Sequence, residues 1–123
     1  MTRDELNQSL IDASAQGDAE EVKSILKLGA DVHKGDDYAV RLASEDGRVE
    51  VVQLLIVAGT DVHRYGDYAL RAASLNGHAE VVQMLLDAGA NIHARDSSAL
   101  RYAVENGHVE VIKILTNWKG ANK

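Results

Sequence analysis

The sequence predicts an all-α fold, a solenoid of about four stacked helix-turn-helix units, on three observations. First, Gly29-Ala-Asp-Val-His33, Gly59-Thr-Asp-Val-His63 and Gly89-Ala-Asn-Ile-His93 recur every 30 residues. Residues 34–63 laid on 64–93 without a gap agree at 15 of 30 positions, far above chance, and a fixed period of this size marks repeat architectures. Second, each period holds two short runs with apolar residues at helical spacing, separated by glycine. Third, the 123 residues include four Tyr, one Trp and no Phe, so the 46% hydrophobic content is almost all Ala, Val, Leu and Ile. Such a chain packs many thin, similar layers rather than one core built on large rings.

The elements follow in order within a unit. Ala69, Leu70, Ala73 and Ser74 are small or apolar at i, i+1, i+4 and i+5, which predicts a first helix over 67–75. Asn76-Gly77 ends it, because glycine accepts the left-handed conformation found after helices. From Ala79 to Ala88, Val81, Val82, Leu85, Leu86 and Ala88 form a wide stripe, while Glu80, Gln83 and Asp87 stay polar; this predicts the second helix, stopped by Gly89. Asn91-Ile92-His93-Ala94-Arg95 reads as an extended return to the next unit. Helices of two to three turns are marginal alone, and neither stripe can be buried except against neighbouring units.

One domain over 1–123 is expected, with units at 4–33, 34–63, 64–93 and 94–118 and a tail at 119–123. Terminal units need a polar outer side. In the first, Glu21 and Asp12 stand where the second has Val51 and Leu42, and Ile11 stands for Arg41. In the last, Thr116 replaces Ile56 and Leu86 as a solvated cap. Trp118 replaces Ala58 and Ala88; it is expected to fold over the open end of the core, with a docking anchor as the alternative. Two capped ends predict a monomer.

Charge and composition narrow the function. Thirteen Lys+Arg against 19 Asp+Glu give −6, with no basic block, which argues against nucleic acid as a partner. The absence of Cys excludes disulfides, thiol nucleophiles and thiolate zinc sites. No run approaches the roughly 20 apolar residues of a membrane span, and Met1-Thr-Arg-Asp-Glu-Leu-Asn has no secretory apolar region, so an intracellular, cytoplasmic location is expected.

The stretch Gly77-His78-x-Glu80-Val81-Val82-x-Met84-Leu85-Leu86-x-Ala88-Gly89-Ala90-Asn91-Ile92 resembles the second half of an ankyrin repeat. Where that family carries Thr-Pro-Leu-His, this chain has Tyr38-Ala39-Val40-Arg41, Tyr68-Ala69-Leu70-Arg71 and Ser98-Ala99-Leu100-Arg101. The likeness covers about residues 4–117. It implies an ankyrin-type α-solenoid. The unit is three residues shorter than the family's, and the deficit falls before the first helix, which implies shortened hairpin fingers. Units of this kind are similar to those expanded in large DNA viruses and equally to a consensus-like design. The family resemblance further implies a non-enzymatic module that binds another protein.

Three columns invite chemistry. His33, His63 and His93 suggest a metal site, but stacked helices sit about 8–10 Å apart and two zinc ligands must each reach about 2.0–2.1 Å. A structural role is expected instead, with the ring donating to the loop backbone as the family's Asn does; His78 and His108 are expected to bond turn backbone. Arg41 and Arg71 lie four residues after Asp37 and Asp67, a spacing that lets each pair meet; Arg101 follows Ser97 but precedes Glu105. An arginine ladder could grip an acidic or phosphorylated ligand; the expected role is bracing of neighbouring turns. Catalysis is not expected: Ser44, Ser74, Glu50, Glu80 and Glu110 are copied once per unit, whereas a catalytic set is singular. No cofactor or metal is expected.

Binding is expected where residues vary on the fixed lattice. The tips carry Lys34, Arg64, Tyr65 and Arg95, and the first helices carry Tyr38, Tyr68, Leu42, Ala72, Tyr102, Glu45, Leu75, Glu105, Asn76 and Asn106. In ankyrin stacks the tips and first helices line the concave face, so the resemblance implies an apolar-aromatic stripe rimmed by acids. Tyr supplies broad contact at low entropic cost; Tyr38 and Tyr68 could equally fill space left by the short finger. A structural scaffold, or a piece of a longer array without a ligand of its own, is the alternative to an interaction module.

Overall fold

A computed structural model describes residues 1–120. Eight helices follow in order: α1 Arg3–Gln16, α2 Ala19–Lys27, α3 Lys34–Glu45, α4 Val49–Val57, α5 Arg64–Leu75, α6 Ala79–Asp87, α7 Ala94–Glu105 and α8 Val109–Asn117. They pair as α1/α2, α3/α4, α5/α6 and α7/α8. The first helices stack in one row, α1 on α3 on α5 on α7, and the second helices stack in another, α2 on α4 on α6 on α8.

The stripes are buried as the pattern requires. Val22, Val52 and Val82 in the second helices, and Leu55 and Leu85 three residues further on, are fully buried; Leu10, Val40 and Leu70 do the same for the first. Each buried Leu or Val contributes about 1.5–3 kcal/mol, supplied largely by residues of the neighbouring pair. The last pair has no following neighbour among the described residues, so Leu100 and Ile112, equivalents of Leu70 and Val82, are half-exposed.

The helices start and stop for local reasons. Thr2 opens α1 with a capping box: its hydroxyl accepts from the Glu5 N–H at 3.1 Å, and Glu5 accepts from the Thr2 N–H at 2.7 Å. Asp18 caps α2 by accepting from the Glu21 N–H. Gly17 is left-handed at the end of α1, as are Gly47, Gly77 and Gly107 in their units. At Gly47 a second demand applies: an added Cβ would lie 2.6 Å from the His78 ring. His78 Nε2 in turn bonds the Glu45 carbonyl at 2.9 Å, and His108 bonds the Leu75 carbonyl likewise. These two histidines therefore bond turn backbone as expected, and that backbone belongs to the preceding pair.

The shortened finger is a single left-handed turn. Gly35, Asp36 and Asp37 all have φ near +60°, as do Tyr65, Gly66 and Asp67, and Arg95, Asp96 and Ser97. The expected extended return is absent from 91–95. The Asn91 side chain accepts from the His93 N–H at 2.9 Å and Ala94 N–H donates to the Asn91 carbonyl, which curls the chain straight into the left-handed turn. A non-glycine residue held there costs roughly 1–2 kcal/mol; Gly35 and Gly66 spare one such cost in the second and third units.

At the end of the chain, Trp118 packs half-buried against the core, as the folded-over reading requires. It borders a cleft of about 210 Å³ with Ile92, Leu100 and Leu115. Thr116 is exposed and donates to the Ile112 carbonyl. Of the tail expected at 119–123, residues 121–123 lie outside the described residues.

Candidate partner-binding face

The arginine column braces neighbouring turns, through backbone carbonyls rather than through the Asp37 and Asp67 carboxylates. Arg71 Nε donates to the Gly66 carbonyl at 2.9 Å and its terminal nitrogen to the Tyr65 carbonyl at 2.7 Å. Arg41 holds the Asp36 and Gly35 carbonyls, and Arg101 those of Asp96 and Arg95, in the same way. A left-handed turn aims its carbonyls at the following helix, and a planar guanidinium spans two of them at once. Each arginine thus braces the turn next to it in the chain, the finger of its own unit.

The aspartates tie each finger to the segment that leads into the next one. Asp37, completely buried, accepts from the Thr60 hydroxyl at 2.8 Å and the Asp61 N–H at 2.9 Å, which close its own unit, and from Arg64 Nε at 2.9 Å, which opens the next, and pairs with His33 Nδ1 at 2.8 Å. Burial is the largest single influence and pushes its carboxyl up, but the bonds from Asp61, Arg64, Thr60 and His33 together outweigh it and hold Asp37 below the ordinary value of 3.8. The same bonding raises Arg64 above its usual range. Asp67 repeats the clasp with the Asn91 N–H and His63, and Asn7 does so with the Asp31 N–H at 2.7 Å. In the fourth unit Ser97 takes the position and meets His93 Nδ1 at 3.2 Å. The histidine column is structural, but its ring partner is the clasp side chain and not the loop backbone. Among the described residues no group of three His, Cys, Asp or Glu could hold a metal ion.

The variable positions lie on the first-helix row and its fingers. Tyr38, Tyr65 and Leu75 are 40%, 52% and 40% exposed. Arg41 joins the tyrosines: its guanidinium carbon stands 4.9, 4.6 and 5.8 Å from the ring centres of Tyr38, Tyr65 and Tyr68, within cation–π reach. The Tyr65 hydroxyl donates to Asp36 at 2.7 Å, which raises its pKa. Tyr68 is raised too, first by burial and then by its bond to Glu45 at 2.9 Å. Glu45, Tyr68, Arg71, Ala72, Leu75 and Tyr102 surround a cleft of about 150 Å³; Ala72 is buried at 7% exposure. Leu42 is half-exposed.

The remaining expected positions are placed differently. Arg64 is drawn into the Asp37 clasp, and Arg95 lies across Gly66. Asn76 donates to the Glu45 carbonyl and Asn106 to the Tyr102 carbonyl. Lys34 and Glu105 are exposed. Sequence reasoning passed over Asn7 and the clasp role of Asp37 and Asp67. A column of acceptors, Asn7, Asp37, Asp67 and Ser97, at the 30-residue period was the available signal.

No curated protein matches the chain. The family model for ankyrin repeats in three copies matches residues 10–96 and again 42–123, so the two spans together take in nearly the whole sequence. Paired helices in two rows, with left-handed fingers opening α3, α5 and α7, accompany that match. The chain belongs to the ankyrin-repeat family.

Proposed function

We propose that this protein is a non-enzymatic interaction module that binds another protein through its concave face, formed by the finger tips and first helices. Ankyrin repeats are in general protein–protein interaction modules. The observation that carries the reading is the row of exposed apolar and aromatic side chains, Tyr38, Tyr65 and Leu75. Large apolar groups left in water on the first helices and their fingers are the raw material of interfaces, and tyrosine is enriched there. The units proposed are 4–33, 34–63, 64–93 and 94–118 within one domain, acting as a cytoplasmic monomer. No helix among the described residues is long and apolar enough to cross a membrane.

The test is a triple substitution, Tyr65→Ala, Leu75→Ala and Tyr102→Ala, followed by capture from lysate and mass spectrometry. The module reading expects an unchanged helical melt and loss of a protein that the unaltered chain retains. A structural array is the second reading, favoured by the way Arg41 already engages three tyrosines. Capture of no protein by the unaltered chain supports that alternative.

A further inference from the structure

The charges on the first-helix face are unequal in availability, and this defines the chemistry of an occupant. The guanidinium groups of Arg41, Arg71 and Arg101 are committed to backbone carbonyls, and Arg64 is committed to Asp37. The acids at the other edge are not neutralised: among the described residues no cation pairs with Glu45, Asp46 or Glu105. Glu45, Leu75 and Glu105 occupy the same position of α3, α5 and α7, so a carboxylate stands on either side of Leu75. All three residues sit in the last turn of their helices, where the helix dipole adds negative potential. Beside Leu75, a cleft of about 150 Å³ is lined by Glu45, Tyr68, Ala72, Tyr102 and Arg71, whose guanidinium reaches back to the finger carbonyls of Tyr65 and Gly66. A void of about this size admits benzene, hence one Leu, Met or Phe side chain.

We propose that the Tyr68–Leu75–Tyr102 cleft receives a single apolar side chain of a partner segment in which Lys or Arg flank that side chain, met by Glu45 and Glu105. The inference rests on the reading that a partner occupies this face, and adds the partner's chemistry.

Panning a random linear-peptide display library against the full chain tests it, followed by anisotropy titration of the enriched peptides. The expected winners carry an apolar residue flanked by Lys or Arg. Leu75→Gln should weaken them about tenfold, as loss of a buried apolar contact does. Glu45→Gln with Glu105→Gln should weaken them severalfold at low salt and not at about 1 M salt, where screening acts within about 3 Å. Matching thermal melts confirm that the variants fold. Acidic or uncharged winners that still depend on Leu75 would overturn the charge inference and leave the concave-face reading standing. Winners indifferent to both Leu75 and Tyr102 would overturn both, and no enrichment over an unrelated protein would overturn the inference.

Discussion

Removing the Asp37 carboxylate attacks the junction between the finger of α3 and the segment 60–64 that leads into α5. Asp37→Ala takes one acceptor away from four donors: Thr60, Asp61, Arg64 and His33. Buried bonds to a charged acceptor contribute about 1.5–3 kcal/mol each, but these donors are half-exposed or exposed, and water replaces part of what they lose. The expected cost is therefore about 3 kcal/mol rather than the full sum. Against a domain stability of about 5–15 kcal/mol, that is a large fraction. Asp37→Asn keeps an acceptor for the Asp61 N–H, as Asn7 does for Asp31, and loses only the charge; about 1–2 kcal/mol is expected. Urea unfolding followed by far-ultraviolet circular dichroism measures both. In a stacked array a weakened junction should also let the two sides melt apart, so the apparent m-value should fall for Asp37→Ala. An Asp37→Ala midpoint displaced by less than about 0.5 kcal/mol would refute the clasp as a determinant of stacking.

Acid provides a second view of the same carboxylate. Its folded pKa lies below 3.8 because its hydrogen bonds outweigh the opposing effect of burial. The unfolded chain then binds the proton more readily, so this contribution to stability rises with pH, is complete above about pH 4 and disappears as pH falls through the folded value. Urea midpoints collected below pH 4 should decline more steeply for the unaltered chain than for Asp37→Asn; parallel declines would mean that other carboxylates govern the acid limb.

Three further outcomes follow from the geometry. Gly47→Ala should cost about 2 kcal/mol against about 1 kcal/mol for Gly107→Ala: both positions are left-handed, but only Gly47 has the His78 ring within contact of an added Cβ, and equal thermal shifts would contradict this. Arg71→Lys should lose about 1 kcal/mol, because an ammonium cannot span the Gly66 and Tyr65 carbonyls together; an unchanged urea midpoint would show that the finger holds itself. Ser74→Ala should be neutral or mildly stabilising in the same assay, since the Ser74 hydroxyl is fully buried without a partner and alanine is the better helix former.

The helical part of this fold was legible because its cause is short-range. Val81, Val82, Leu85 and Leu86 announce a stripe by spacing alone, and the copies at 51–55 and 111–115 repeat it. Gly77 and Gly89 punctuate it at positions where only a residue without Cβ is comfortable. The finger was not legible, because its shape depends on partners outside the segment. Glycine and aspartate tolerate the left-handed region singly, but neither Gly35-Asp-Asp37 nor Tyr65-Gly-Asp67 has a local preference for three such residues in succession. What holds them is Arg71 reaching back five and six residues, and Asp67 reaching 24 residues forward. The i,i+4 rule misled at Asp67–Arg71 for the same reason: it presumes a right-handed helix through both residues, and Asp67 stands in the left-handed turn at the start of α5.

The same logic separates folding residues from candidate binding residues more sharply than exposure does. Arg41, Arg71 and Arg101 look like a ligand-gripping ladder in sequence, yet each is repeated in every unit with a finger and each spends its guanidinium on two carbonyls. Leu42, Ala72 and Tyr102 share one lattice position and keep nothing in common but their place. Stacking fixes the residues that every interface needs, so positions free to differ are those whose side chains the neighbouring unit does not consume. Tyr65 complicates this division, because its ring rests on Arg41 and its hydroxyl on Asp36. A partner that engages Tyr65 must therefore compete with those contacts, whereas Leu75 has no such internal claim and is the first position at which bound and unbound surfaces should differ.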